Sequence, residues 1–390
     1  MIYIDKLKQI LKLIEENHID IYFNITKEEI DKCVEELLEE NKINNEYDLY
    51  YYTNVIIKKI FGRFDSHTRL VWNNADFKLP IRFKYINDKL YVIRTDNQNK
   101  DLLYGQILKI NDIDINQLIN EIDKMTAYST NEFLQTQIEN ILYNGLKLRS
   151  LPSINSNSDE FKFEILKNDK IIIRTLKKQT DELTDLNKPK QNYSYEILND
   201  MIYVVYNRCF EEYDNQMINF VKKIKVLSEE INIDKFVVDI RGNTGGNAEI
   251  IKPLIDFLKD KKVVTLVDKY IFSGGRFAIL DLKNIDSKFV GSRIGTSLNC
   301  FGNVSSIKYD NFIIPISNKY FYIDTTYKYE NYKYADTKEK FTELKKDKSL
   351  FIPQIFEPDY YCIKTIEDYK DGRDSELELA IKLMEDKKIK

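Results

Sequence analysis

The chain has 390 residues, 43% of them apolar, which is enough for two or three domains with a sizeable core and too much for a disordered protein. Its 59 basic and 63 acidic residues leave a net charge of −4, arguing against a nucleic-acid surface. Four scattered cysteines (Cys33, Cys209, Cys300, Cys362) with no CxxC pair point to reduced thiols rather than a disulfide frame or zinc site. No apolar run reaches the roughly 18 residues of a membrane span, and the stretch from Met1 to Lys8 lacks a signal-peptide core, so a cytoplasmic location is expected.

Ile4, Leu7, Ile10, Leu11 and Ile14 form a helical stripe over residues 2–17. His18 at its end reads as a C-terminal cap or a surface residue. Thr26 with Glu29 is a capping box and predicts a helix over 27–41; a third helix is expected over about 46–61. Three helices with short connections predict an N-terminal helical bundle over 1–78. The polar turn Asp65-Ser66-His67-Thr68 leads into apolar Leu70, Val71 and Trp72. A small α+β region is expected over 79–192, with short strands at Ile81–Tyr85, Leu90–Ile93, Gly105–Ile110, Phe161–Ile165 and Ile171–Leu176, and helices from about Ile115 and over 131–146. Asp181–Asn192 is the candidate linker.

From about 193 to 390 strand and helix alternate, which predicts an α/β core with a mainly parallel sheet and helices on both faces. The strands are Met201–Tyr206, Phe236–Ile240, Val263–Val267, Phe289–Gly291 and Ile313–Ile316. Pro253 sits early in the helix after Phe236–Ile240 and predicts a late start or a kink.

Three stretches could carry chemistry. Asp239-Ile-Arg-Gly-Asn-Thr-Gly-Gly246 joins a buried strand to a helix through glycines; backbone N–H groups there could hold a phosphate or an oxyanion. It lacks the Lys-Ser/Thr of a phosphate loop and the GxGxxG spacing, so nucleotide binding is disfavoured. Ser273, between a strand and a helix, would ordinarily be an N-cap. A nucleophile is also well placed there, and Gly274-Gly275 after it costs helix stability, which hints at a steric requirement. His67 is nearly the only imidazole available as its base.

In this order the stretches resemble the C-terminal-processing (tail-specific) and tricorn-core family of serine peptidases. The pattern Asp-x-Arg-x-Asn-x-Gly-Gly stands as Asp239, Arg241, Asn243, Gly245 and Gly246. Ser273 follows, then Val290-Gly291, Gly295 and Gly302. Pro358-Asp359 and Gly372, Asp374, Leu377 and Ala380 match the closing signature, and Asp65-Ser66-His67-Thr68 is similar to the tricorn-like Asp-Gly-His-Thr. The tail-specific branch has a lysine about 25 residues after its serine, whereas Gly295–Asn303 holds none; the Ser–His branch is the better match.

The resemblance implies an α+β chain with a ClpP/crotonase-like βαβ core over 193–390 and a substrate-binding, PDZ-like region before it. It implies a serine-type endopeptidase with Ser273 as nucleophile and His67 as base. Ser66 would orient His67, and Glu357 would be the acidic end of the relay. Gly274 with Gly245 or Gly246 would form the oxyanion hole. The implied substrate is a peptide or unfolded protein, with no cofactor, metal, nucleic acid or membrane; a homo-oligomer is left open. The retinoid-binding relatives of this family imply a second reading, a catalytically inactive peptide- or ligand-binding protein on the same fold.

Overall fold

The computed structural model describes residues 2–74, 77–154, 158–179, 183, 191–324 and 331–385. Most of the candidate linker lies outside them. Contacts divide the chain into two compact units, differently from the expected cuts after 78 and 192. One unit is Met1–Asp185 with Asn299–Phe321 and Tyr334–Pro353; the other is Leu186–Leu298 with Tyr322–Lys333 and Gln354–Lys390.

The first unit starts with helices Ile2–Asn17, Lys27–Glu39 and Glu46–Phe61. The Thr26–Glu29 capping box is present, with each residue's side chain accepting from the other's backbone N–H. The α+β region is a six-stranded antiparallel sheet with the path Ile81–Ile86, Lys89–Thr95, Gln106–Ile110, Glu160–Lys167, Lys170–Lys177, with Ile113–Asp114 paired off it to Gln106–Ile110, and with helices Ile115–Met125 and Asn131–Leu142. It shares one apolar core with the three N-terminal helices, which is why 1–78 is not a separate body.

The strand expected at Ile313–Ile316 does not join the parallel sheet. It belongs to Phe312–Asp324, which pairs antiparallel with Cys300–Tyr309 and with Val71–Trp72. Phe312, Ile314 and Ile316 are buried in the first unit's core, and that burial draws the hairpin there.

The second unit is built on the sheet Tyr360–Tyr361, Lys288–Gly291, Lys262–Val267, Lys235–Asp239, Met201–Tyr206, Tyr193–Leu198. All neighbours are parallel except the last pair, a hairpin. Alternation along the central strand feeds two cores. Phe236 and Val238 pack with helices Met217–Glu230, Lys252–Leu258 and Gly275–Lys283, whereas Val237 packs under helix Ser375–Glu385 with Ala380, Leu383 and Met384. Pro253 falls in the first two positions of helix Lys252–Leu258, after a 3-10 turn Ala248–Ile251, so that helix starts late as expected.

Candidate active site

The glycine turn of the second unit hangs on Asn243, which is fully buried. Its Nδ2 donates to the Tyr206 carbonyl at 2.9 Å, its Oδ1 accepts the Gly245 N–H at 2.9 Å, and its carbonyl accepts the Phe272 N–H at 3.0 Å. One side chain therefore ties the turn to the end of a neighbouring strand, and its own carbonyl holds the Ser273 loop. Asp268 adds a second clamp by accepting the Gly242 N–H at 2.9 Å.

The next helical turn is capped by Asn247, whose Oδ1 takes the Glu249 N–H at 3.0 Å. The turn is thus not an open helix N-terminus waiting for phosphate. Gly246 has φ +132°, and a Cβ on Gly274 would stand 2.4 Å from the Gly246 carbonyl oxygen, so the two loops touch backbone to backbone.

Ser273 is not the cap of helix Gly275–Lys283. The cap position is Gly274, with no side-chain cap bond. Ser273 itself sits at φ +51°, in the left-handed region. That conformation costs a non-glycine residue about 1–2 kcal/mol and is kept where the surrounding structure enforces it. The side chain is half-buried rather than sealed in. Behind it, Arg276 is buried, with its guanidinium over the Phe277 and Tyr332 rings at 4.9 and 5.6 Å.

Arg241 pairs with Asp239 at 2.6 Å, as their alternation on one strand face allows, and also reaches Asp374 at 2.9 Å and Glu376 at 2.5 Å. Tyr203 donates to Asp239 as well. Burial alone would raise the Asp374 pKa; the Arg241 guanidinium, helped by Lys364, outweighs it and holds the value at about 2. The closing signature of the sequence is therefore a clamp from the C-terminal helix onto the strand that carries the glycine turn.

In the first unit the centre is Asp65. Its carboxylate is buried and accepts the His67 N–H at 2.7 Å, the Thr68 N–H at 3.2 Å, Thr68 Oγ1 at 2.5 Å and Ser317 Oγ at 3.0 Å. His67 Nδ1 lies 3.8 Å from Asp65 Oδ1, and His18 Nε2 lies 3.3 Å from Oδ2. Burial pushes the Asp65 pKa up, but the His18 hydrogen bond, both imidazoles and Thr68 together hold it well below the usual carboxylate range. Asn54 pins the loop exit by accepting the Leu70 N–H at 2.9 Å and donating to the Leu70 carbonyl at 3.1 Å.

No protein-family model and no curated protein matches this sequence. Solved structures do. Mature CPAF complexed with lactacystin aligns over 98% of this chain and 97% of that chain, with a TM-score of 0.65 at 9% identity. Mature CPAF alone aligns over 98% and 96%, with a TM-score of 0.63 at 8% identity. A photosystem II D1 C-terminal processing protease aligns over 99% and 98% at 10% identity, with a TM-score of 0.47. Over its full length the chain has the fold of mature CPAF.

Within this fold, Ser273, Gly245, Gly246 and Gly274 come together in the second unit, while His67 and Ser66 lie in the first. The structure bears on four of the expected residues. The Gly245 N–H is engaged by Asn243, which leaves Gly246 and Gly274 as the donors facing no acceptor among the described residues. Glu357 is 57% exposed and pairs with Arg293 at 2.6 Å; the carboxylate beside the His67 ring is Asp65. His18 is not at the surface but 2% exposed and bound to Asp65. Ser66 is buried and its carbonyl accepts from Arg69 at 2.8 Å, with no bond from its hydroxyl to His67. Asn243, Asp65 and His18 are the residues whose importance the sequence reading missed. Asn243 and Asp65 stood inside quoted motifs; His18 carried no signal beyond being one of two histidines.

Proposed function

We propose that the chain is a serine peptidase acting on peptides or unfolded protein segments. The observation that carries this is Ser273: a left-handed serine at a strand-to-helix turn, half-exposed, against two glycine N–H groups with no other acceptor among the described residues. In the reaction Ser273 Oγ attacks the peptide carbonyl and passes its proton to His67, which later returns it to the leaving amine. Asp65 holds the His67 loop and stabilises the imidazolium. Gly246 and Gly274 donate to the tetrahedral oxyanion, each worth roughly 3–4 kcal/mol of barrier. The solved relatives support the scaffold; the chemistry is this proposal's own step.

A fluorophosphonate probe tests it. The folded protein is expected to be labelled at Ser273, and Ser273→Ala is expected to lose labelling and roughly 10^6-fold in kcat, with its urea midpoint unchanged. A folded wild-type protein that never takes the label would instead be a binding protein on the peptidase scaffold.

A further inference from the structure

We propose that His18 is a positioning residue that acts on His67 through Asp65, an inference that rests on the reading of His67 as the base. His18 Nδ1 accepts the backbone N–H of Asp20 at 3.1 Å. A backbone N–H can only donate, so Nδ1 carries no proton and Nε2 carries it. That Nε2–H faces Asp65 Oδ2 at 3.3 Å. The ring is held between Phe61 and Phe301, with centroids at 4.6 and 4.9 Å. Asp20 is itself anchored by Lys345 at 2.6 Å. His18 is therefore a donor of fixed direction.

The two oxygens of Asp65 take different sets of donors. Oδ2 takes His18 and Thr68 Oγ1, which sets the carboxylate plane. Oδ1 accepts the backbone N–H groups of His67 and Thr68 at 2.7 and 3.2 Å and Ser317 Oγ at 3.0 Å, and the His67 ring stands beside it with Nδ1 at 3.8 Å. At 3.8 Å this is longer than a hydrogen bond, but the negative carboxylate beside Nδ1 favours the His67 tautomer with its proton on Nδ1, which leaves Nε2 basic. A residue needed only to fill space between two phenylalanines would be apolar, since burying an imidazole costs free energy unless its polar atoms are used. Here both nitrogens are used.

The chain has two histidines, so nitrogen-15 NMR of histidine-labelled protein reads both rings separately. The wild type is expected to show His18 protonated at Nε2 and His67 at Nδ1. In His18→Phe the His67 signal is expected to turn into a mixture of tautomers, and His18→Gln, whose amide can still donate to Asp65, is expected to restore it. In activity, His18→Phe should lower kcat roughly 10- to 100-fold at unchanged KM, a fraction of what an orienting carboxylate contributes. It should lower it no further in an Asp65→Asn background. A wild-type His18 protonated at Nδ1, or a folded His18→Phe protein with an unaltered His67 spectrum, overturns the proposal. The wild-type spectrum needs no variant, so a misfolding substitution does not remove the test. Failure of the peptidase reading shows separately, as an unlabelled Ser273 with these spectra intact.

Discussion

The glycine turn around Ser273 and the loop around His67 solve the same problem with opposite materials. The first is made of backbone: Gly246 and Gly274 approach so closely that a Cβ on Gly274 would stand 2.4 Å from an oxygen, and one asparagine holds the turn in place. The second is made of side chains: a buried carboxylate gathers donors from His18, Thr68 and Ser317 as well as two backbone N–H groups. Backbone donors cannot titrate or change rotamer, which suits a site that must receive charge without rearranging. A carboxylate cage can tune a neighbouring imidazole, which suits a site that must give and take a proton.

Asp65→Asn probes the side-chain cage most directly. It should lower kcat/KM roughly 10^3- to 10^4-fold with KM little changed, because an amide cannot stabilise the imidazolium. A loss below tenfold in steady-state peptide hydrolysis would remove Asp65 from its assigned role. On the backbone side the expected weak point is the clamp. Arg241→Ala strands Asp239, Asp374 and Glu376 around an empty site and should destabilise the protein by about 3–5 kcal/mol in urea unfolding. A change under about 1 kcal/mol would mean that the turn holds without its clamp. The smallest effect is on pH. The Asp374 pKa is depressed to about 2 in the folded protein, against about 3.9 for an unfolded aspartate. Its contribution to stability is therefore fully present above about pH 4 and is lost as pH falls through about 2. Urea midpoints measured across that window should fall more steeply for the wild type than for Asp374→Asn; equal slopes would contradict the assignment.

Much of the second unit was legible because its signals are local. Apolar, β-branched runs marked Met201–Tyr206, Lys235–Asp239 and Lys262–Val267, and contiguous glycines marked the turn. Ser273 stood out because two glycines after it weaken a helix start. What escaped depended on long-range pairing. Ile313–Ile316 reads as one more buried strand, and only its antiparallel partner Val71–Trp72 reveals which core it joins. His18 looks like a helix end until Asp65, 47 residues on, is placed beside it. Glu357 was chosen by proximity to Pro358-Asp359, yet its charge is spent on Arg293 in solvent. Gly245 and Gly246 are alike in sequence; the Asn243 side chain alone distinguishes them.

The Arg241 clamp also sets an order of events. Arg241 has two of its carboxylate partners, Asp374 and Glu376, 133 and 135 residues further along the chain. While the chain is being made, the strand bearing the glycine turn emerges long before the helix that secures it. A nascent chain then carries Ser273 on an unbraced turn, with Val237 uncovered until Ala380 and Leu383 arrive. Arranged this way, the turn beside Ser273 gains its brace only after the residues of helix Ser375–Glu385 have been made.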